Sequence, residues 1–131
     1  MITFTVYGTP KPQGSTRAFI PKGWKRAIIT TDNKQLKPWR QQITGTAIAL
    51  GMIPIEGGVA MTLRFYFKRP KSVAKTRLRP TVKPDLDKLV RGCLDALTGI
   101  AYKDDSQVVQ FTEISKHYDD VERAEISVWA L

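Results

Sequence analysis

Residues 59–67 constrain the fold more than any other segment of the chain. Val59, Met61, Leu63, Phe65 and Phe67 alternate with residues that are mostly smaller or polar, which is the period of a strand with one buried face. Residues 85–98 have a different period and predict a helix. Its apolar positions are Leu86, Leu89, Val90, Cys93, Leu94 and Leu97. The two segments predict strand and helix within one α+β unit.

The rest of the chain adds further elements of both kinds. Residues 2–7, 107–115 and 122–130 alternate as strands do, and Asp119-Asp120 marks a turn between the last two. Residues 33–50 predict a second helix. Its apolar face comprises Leu36, Trp39, Ile43, Ala47 and Leu50. A short strand at residues 27–30 would form half of an exposed hairpin. We therefore expect one α+β domain over residues 1–131, with a mixed or antiparallel sheet of about four strands and two helices.

Composition excludes several classes of protein. One cysteine in 131 residues rules out a disulfide framework and a cysteine-based zinc site. No run of 18 apolar residues is present, so we expect no membrane-spanning helix and no membrane partner. The first residues lack the regions of a signal peptide, which makes the cytoplasm the expected location.

The net charge of +9 is distributed very unevenly along the chain. Residues 1–83 contain 16 Lys or Arg and 2 Asp or Glu, whereas residues 84–131 contain 5 and 10. The steepest part is a basic loop at about residues 68–83. Its cations are Lys68, Arg69, Lys71, Lys75, Arg77, Arg79 and Lys83, with no acid among them. Such a loop is predicted to be extended and mobile, and to bind a nucleic acid backbone. A solvated loop that keeps the protein soluble is the equally weighted alternative.

Carboxylates follow the basic loop at once. Asp85 opens the predicted helix, Asp87 lies two residues on, and Asp104-Asp105 stand before the next predicted strand. Mg²⁺-dependent phosphodiester hydrolysis needs two or three such hard oxygen ligands on a firm frame, and these acids could converge to supply them. Each acid also has a structural interpretation, as an N-cap, a first-turn residue or a turn residue.

Arg91 stands midway between Asp87 and Asp95 at helical spacing. The three residues form either a surface ladder of ion pairs or, with Arg91 near the site, a means of stabilising charge on a phosphate. Weaker candidates are Cys93, His117 and Tyr102, for which packing or structural roles are expected.

The stretch from Lys83 to Val109 resembles the RusA family of Holliday-junction resolvases. It contains K-P-D-L-D-K-L-V-R-G-C-L-D-A-L and then D-D-S-Q-V-V, against a family pattern of D-L-D-N-L, a basic residue four positions on, D-A-L and D-D-x-Q-V. The remainder of the chain is compatible with that family. The resemblance implies a RusA-like, homodimeric α/β fold.

The resemblance also assigns roles. Asp85, Asp87 and Asp105 match the family's metal-binding aspartates, Arg91 stands where a catalytic lysine is common, and Lys88 where Asn is usual. It implies Mg²⁺, or Mn²⁺ in its place, no organic cofactor, and paired symmetric nicks in four-way DNA junctions during recombination and repair, with phage and prophage genes among the sources. Two alternatives stay open: a non-catalytic nucleic-acid-binding module, and a broader structure-specific nuclease acting on flaps and replication intermediates.

Overall fold

The computed structural model describes residues 1–14, 16–20, 22–23, 25, 28–31 and 34–131. The elements, in chain order, are β1 (Ile2–Tyr7), β2 (Thr16–Phe19), β3 (Ile28–Thr31), α1 (Leu36–Ala49), β4 (Val59–Phe67), α2 (Leu86–Leu97), β5 (Val108–Tyr118) and β6 (Arg123–Ala130). The α+β prediction is confirmed. In this part of the chain, no helix is long and apolar enough to cross a membrane.

Four of the strands form a mixed sheet in the order β1-β6-β4-β5. β4 and β5 are parallel, because α2 carries the chain back between them, and the other pairs are antiparallel. The predicted turn at Asp119-Asp120 is present, but β5 and β6 do not pair with each other. After that turn β6 lies between β1 and β4, which leaves β5 at an edge of the sheet.

The apolar faces predicted from periodicity form a single core. Trp39 and Ile43 of α1, Leu89 and Cys93 of α2, and the alternate residues of β4 are all buried together, so both helices cover one face of the sheet. The prediction for Leu50 was wrong. Leu50 is 53% exposed because it is the C-cap residue, beyond the last turn of α1.

The predicted exposed hairpin corresponds to β2 and β3, which pair antiparallel outside the main sheet. Ala27 was predicted to start a strand and Asn33 to start α1. Both residues lie outside the described residues.

The basic loop, residues 68–83, contains no helix or strand. The prediction that this loop is extended holds only in part. The Val73 backbone N–H donates to Pro70 O at 3.1 Å and the Arg77 N–H donates to Ala74 O at 3.0 Å, so two turns fold the middle of the loop. Pro80 is buried, which attaches the returning half of the loop to the domain.

Candidate active site

Asp85 occupies the N-cap position of α2, immediately after the basic loop. Its backbone is extended, with φ −70° and ψ 140°, but its carboxylate makes no capping hydrogen bond. The nearest cation is Lys88, whose Nζ lies 3.6 Å from Asp85 Oδ2, and the Asp85 side chain is half exposed. The N-cap interpretation therefore explains the backbone at this position and leaves the carboxylate available to a ligand.

Asp87 and Arg91 extend the same exposed face of α2. Within the described part of the chain, neither side chain forms a hydrogen bond or an ion pair. The Asp87–Arg91–Asp95 ladder is therefore not formed, and the structural alternative for Arg91 fails. Within two turns of the helix start, the Asp87 carboxylate and the Arg91 guanidinium therefore have no partner among the described residues, and Asp85 has only the 3.6 Å ion pair with Lys88.

Asp104 and Asp105 are adjacent in sequence but have different environments. Asp104 caps a short 3-10 turn, Asp105–Gln107, by accepting a hydrogen bond from Ser106 N at 2.9 Å. That bond and the Asp105 side chain lower the pKa of Asp104. The pKa of Asp105 is raised, first by desolvation and then by its neighbours Asp104 and Asp95. Asp104 is thus committed to the turn, and Asp105 is the carboxylate left for a ligand.

Gln107 completes this arrangement and was missed as a functional position by residue-level reasoning. Its Oε1 accepts from Lys103 N and Asp104 N at 2.9 and 3.0 Å, which closes a capping box. Its Nε2 donates to Ile55 O at 2.8 Å and Gly57 O at 3.0 Å. The signal was present in the sequence, because Asp-x-x-Gln is the spacing of a capping box.

The three predicted metal ligands do not meet within one chain. Asp85 precedes α2, whereas Asp105 follows it at the end of the sheet where β5 begins beside Val59. A twelve-residue helix spans about 18 Å. Among the described residues, no group of three or more His, Cys, Asp or Glu side chains is close enough to hold a metal ion. The expected convergence of Asp85, Asp87 and Asp105 is therefore absent from the isolated chain.

The basic loop is attached to the domain at both ends. At its start, the Arg69 guanidinium lies 5.1 Å from the centroid of the Tyr118 ring, and Lys68 N donates to Glu122 Oε2. At its end, Lys116 of β5 donates from Nζ to Val82 O and Pro84 O, both at 2.9 Å. Lys116 thereby holds the backbone on both sides of Lys83, and Pro84 directly precedes Asp85. An isolated lysine in a strand gives no signal in the sequence, so this role of Lys116 could not be predicted.

The weaker candidates have structural roles. Cys93 is fully buried, and burial raises the pKa of its thiol to about 12. Tyr102 is also buried and donates from its hydroxyl to Leu94 O at 2.7 Å, which confirms the expected packing role. The His117 ring stacks on Tyr66, and its Nε2 lies 2.8 Å from Ser115 Oγ. These side chains are on the face of the sheet opposite the helices.

Comparison with known proteins decides the family. A family model described as endodeoxyribonuclease RusA matches residues 8–129. The chain belongs to the RusA endodeoxyribonuclease family. It is also 37% identical over 140 residues to the uncharacterized protein YqaN of Bacillus subtilis strain 168, covering 97% of this chain and 94% of that protein. The RusA match extends well beyond residues 83–109, on which the resemblance was first based.

Because the chain belongs to the RusA family, its carboxylates can be compared with the ligands that a divalent cation requires. Asp85 and Asp87 fit in kind, because both carboxylates are exposed hard oxygen donors and neither is used by the helix cap. They do not fit in number, because Asp105 lies at the other end of α2. One chain of this RusA protein therefore presents two of the three expected ligands at one place.

Proposed function

We propose that this protein is a metal-dependent endodeoxyribonuclease that resolves Holliday junctions and related branched DNA by paired symmetric nicks. One observation carries the proposal: in a chain of the RusA family, a loop with seven cations leads directly into the uncommitted carboxylates of Asp85 and Asp87. The loop cations neutralise phosphates and bring the DNA backbone to the start of α2.

Each residue has a defined task in this proposal. Asp85 and Asp87 would hold Mg²⁺, or Mn²⁺ in its place, and the bound ion would supply Lewis-acid polarisation of the scissile phosphate and a lower pKa for the attacking water. Arg91 offsets the negative charge that develops on the phosphate. As an arginine it remains protonated, so it does not transfer the proton.

A homodimer supplies the third carboxylate. β5 is an open edge of the sheet, and residues 108–115 contain no Lys, Arg or Pro to protect it. Val109 is 67% exposed there. Antiparallel pairing of two β5 edges about a two-fold axis brings the start of one β5 towards the end of the other. Asp105 lies before that start, and Lys116, near that end, contacts Pro84 O. Asp105 of one chain would then approach the Asp85–Asp87 pair of the second.

The test is cleavage of a synthetic four-way junction with each strand labelled in turn, in Mg²⁺ and in EDTA. We expect paired nicks on two opposite strands, only with the metal, and background cleavage from Asp85→Asn. Asp120→Asn is the matched control, because Asp120 is exposed in the turn after β5 and far from α2 in sequence. Binding without cleavage in Mg²⁺ would identify a non-catalytic module, and unpaired cuts in flaps would identify the broader nuclease.

A further inference from the structure

We propose that the cleft between residues 9–14 and residues 83–88, here named the lysine cleft, binds one unpaired nucleotide of the DNA strand. This inference rests on the proposed function. It adds to that function a site for the base next to the cleaved phosphate. The cleft has a volume of about 550 Å³. That volume is within the usual range for sites that take a small ligand.

The two walls of the lysine cleft are fixed to each other and to the domain. Gln13 N donates to Lys88 O at 3.0 Å, which joins the first wall to α2. Gly8 N donates to Glu122 O, and Thr9 Oγ1 donates to Glu122 Oε1 at 2.7 Å. Lys116 holds the second wall through Val82 O and Pro84 O. The cleft is therefore formed before any ligand arrives, so little ordering opposes binding.

The first wall packs closely against α2 at Gly92. A Cβ at this position would lie 3.4 Å from Lys11 O and 3.4 Å from Leu36 Cδ1. Gly92 is also buried. The close approach fixes Lys11 beside the helix that carries the aspartates.

The lining of the cleft combines positive charge with apolar surface. Three of its residues are cations, Lys11, Lys83 and Lys88, and its one acid is Asp85. Pro12 and Pro84, which are partly exposed, supply apolar surface. A nucleotide presents the same combination, since its phosphate is an anion and its base has flat apolar faces. With a volume of about 550 Å³ the cleft has the size of a site for one small ligand, so we assign it to a single unpaired nucleotide.

The position of Asp85 places this nucleotide beside the reaction. Asp85 lines the lysine cleft and also a second depression on the other side of residues 83–85, where Arg79 and Lys116 lie. A strand that passes from one depression to the other therefore crosses Asp85. The base in the lysine cleft is then adjacent to the scissile phosphate. A preferred cleavage sequence would depend on how well this base fits against the apolar wall of the cleft.

Anisotropy measurements in EDTA test the lysine cleft without cleavage. The probes are a labelled short oligothymidylate and a blunt duplex of the same length. We compare Lys11→Met with Lys37→Met, which removes an equal charge from an exposed position on α1. We expect Lys11→Met to weaken oligothymidylate binding about 10-fold and to lower its salt slope by about 0.7, the value for one phosphate contact on a single strand. Duplex binding should change no more than it does in Lys37→Met.

Equal behaviour of the two variants on the oligothymidylate would overturn the proposal, as would an equal loss of single-strand and duplex binding by Lys11→Met. Both substitutions are at surface side chains, so loss of folding is not expected and is checked by thermal melting. Failure of the wild type to cut junctions would remove the proposed function and leave this binding result intact. Junction cleavage without the Lys11 effect would remove the lysine cleft alone.

Discussion

At the scale of single residues, the adjacent aspartates Asp104 and Asp105 differ in their environments. Asp104 caps a turn and has a lowered pKa, whereas desolvation and the charges of Asp104 and Asp95 raise the pKa of Asp105. Sequence alone assigned the functional role to Asp105 only through the family resemblance. The physical reason, a hydrogen bond from Ser106 N to Asp104, depends on backbone geometry that the pair Asp-Asp does not specify.

We expect Asp104→Ala and Asp105→Asn to have opposite effects. Asp104→Ala removes the cap of the 3-10 turn and should lower Tm by a few degrees. Asp105→Asn keeps the turn and relieves repulsion, so Tm should hold or rise while junction cleavage falls to background. Thermal melts and cleavage assays of both variants check this. A stable, active Asp105→Asn protein would show that Asp105 is not a ligand.

At the scale of elements, periodicity predicted most of the secondary structure but not the strand neighbours. The alternation in residues 59–67 and the apolar face of α2 matched the observed elements, because each side chain's burial follows from its own segment. That β6 lies between β1 and β4 depends on contacts between segments far apart in the chain. Local alternation carries no information on such contacts. The separation of Asp85 from Asp105 follows partly from the length of α2, which periodicity did predict, and partly from the parallel pairing of β4 with β5, which it did not.

The side-chain amide of Gln107 links the 3-10 turn to the segment before β4. We expect this link to need both the amide oxygen and the amide nitrogen. Gln107→Glu keeps an acceptor for Lys103 N and Asp104 N but places a carboxylate oxygen against Ile55 O and Gly57 O. We expect it to lower the free energy of unfolding by about 1–3 kcal/mol. Gln110→Glu, at an exposed position in β5, is the control and should change it little. Urea titrations measure both. Equal stability of the two variants would contradict a structural role for the amide.

At the scale of the whole molecule, the divided set of carboxylates predicts complementation between inactive chains. In a mixed dimer of Asp85→Asn and Asp105→Asn, one composite site lacks both carboxylates and the other keeps both. We expect mixing and refolding the two variants to restore nicking of one strand, although each variant alone is inactive. Strand-specific labels on the junction measure this. Sites contained within single chains would stay inactive in every mixture.

The order of strands in the sheet also has a consequence for how the protein is made. β6 is translated after the other strands, yet it is an inner strand, with β1 on one side and β4 on the other. Until residues 123–130 leave the ribosome, β1 has no neighbour in the sheet, although it emerged first. Its pairing partners are more than a hundred residues away in sequence, for example Val128 for Ile2. Such distant pairing is slow. The complete sheet of this protein can therefore form only once β6 has emerged, and the basic segments that precede β6 leave the ribosome before the domain is complete.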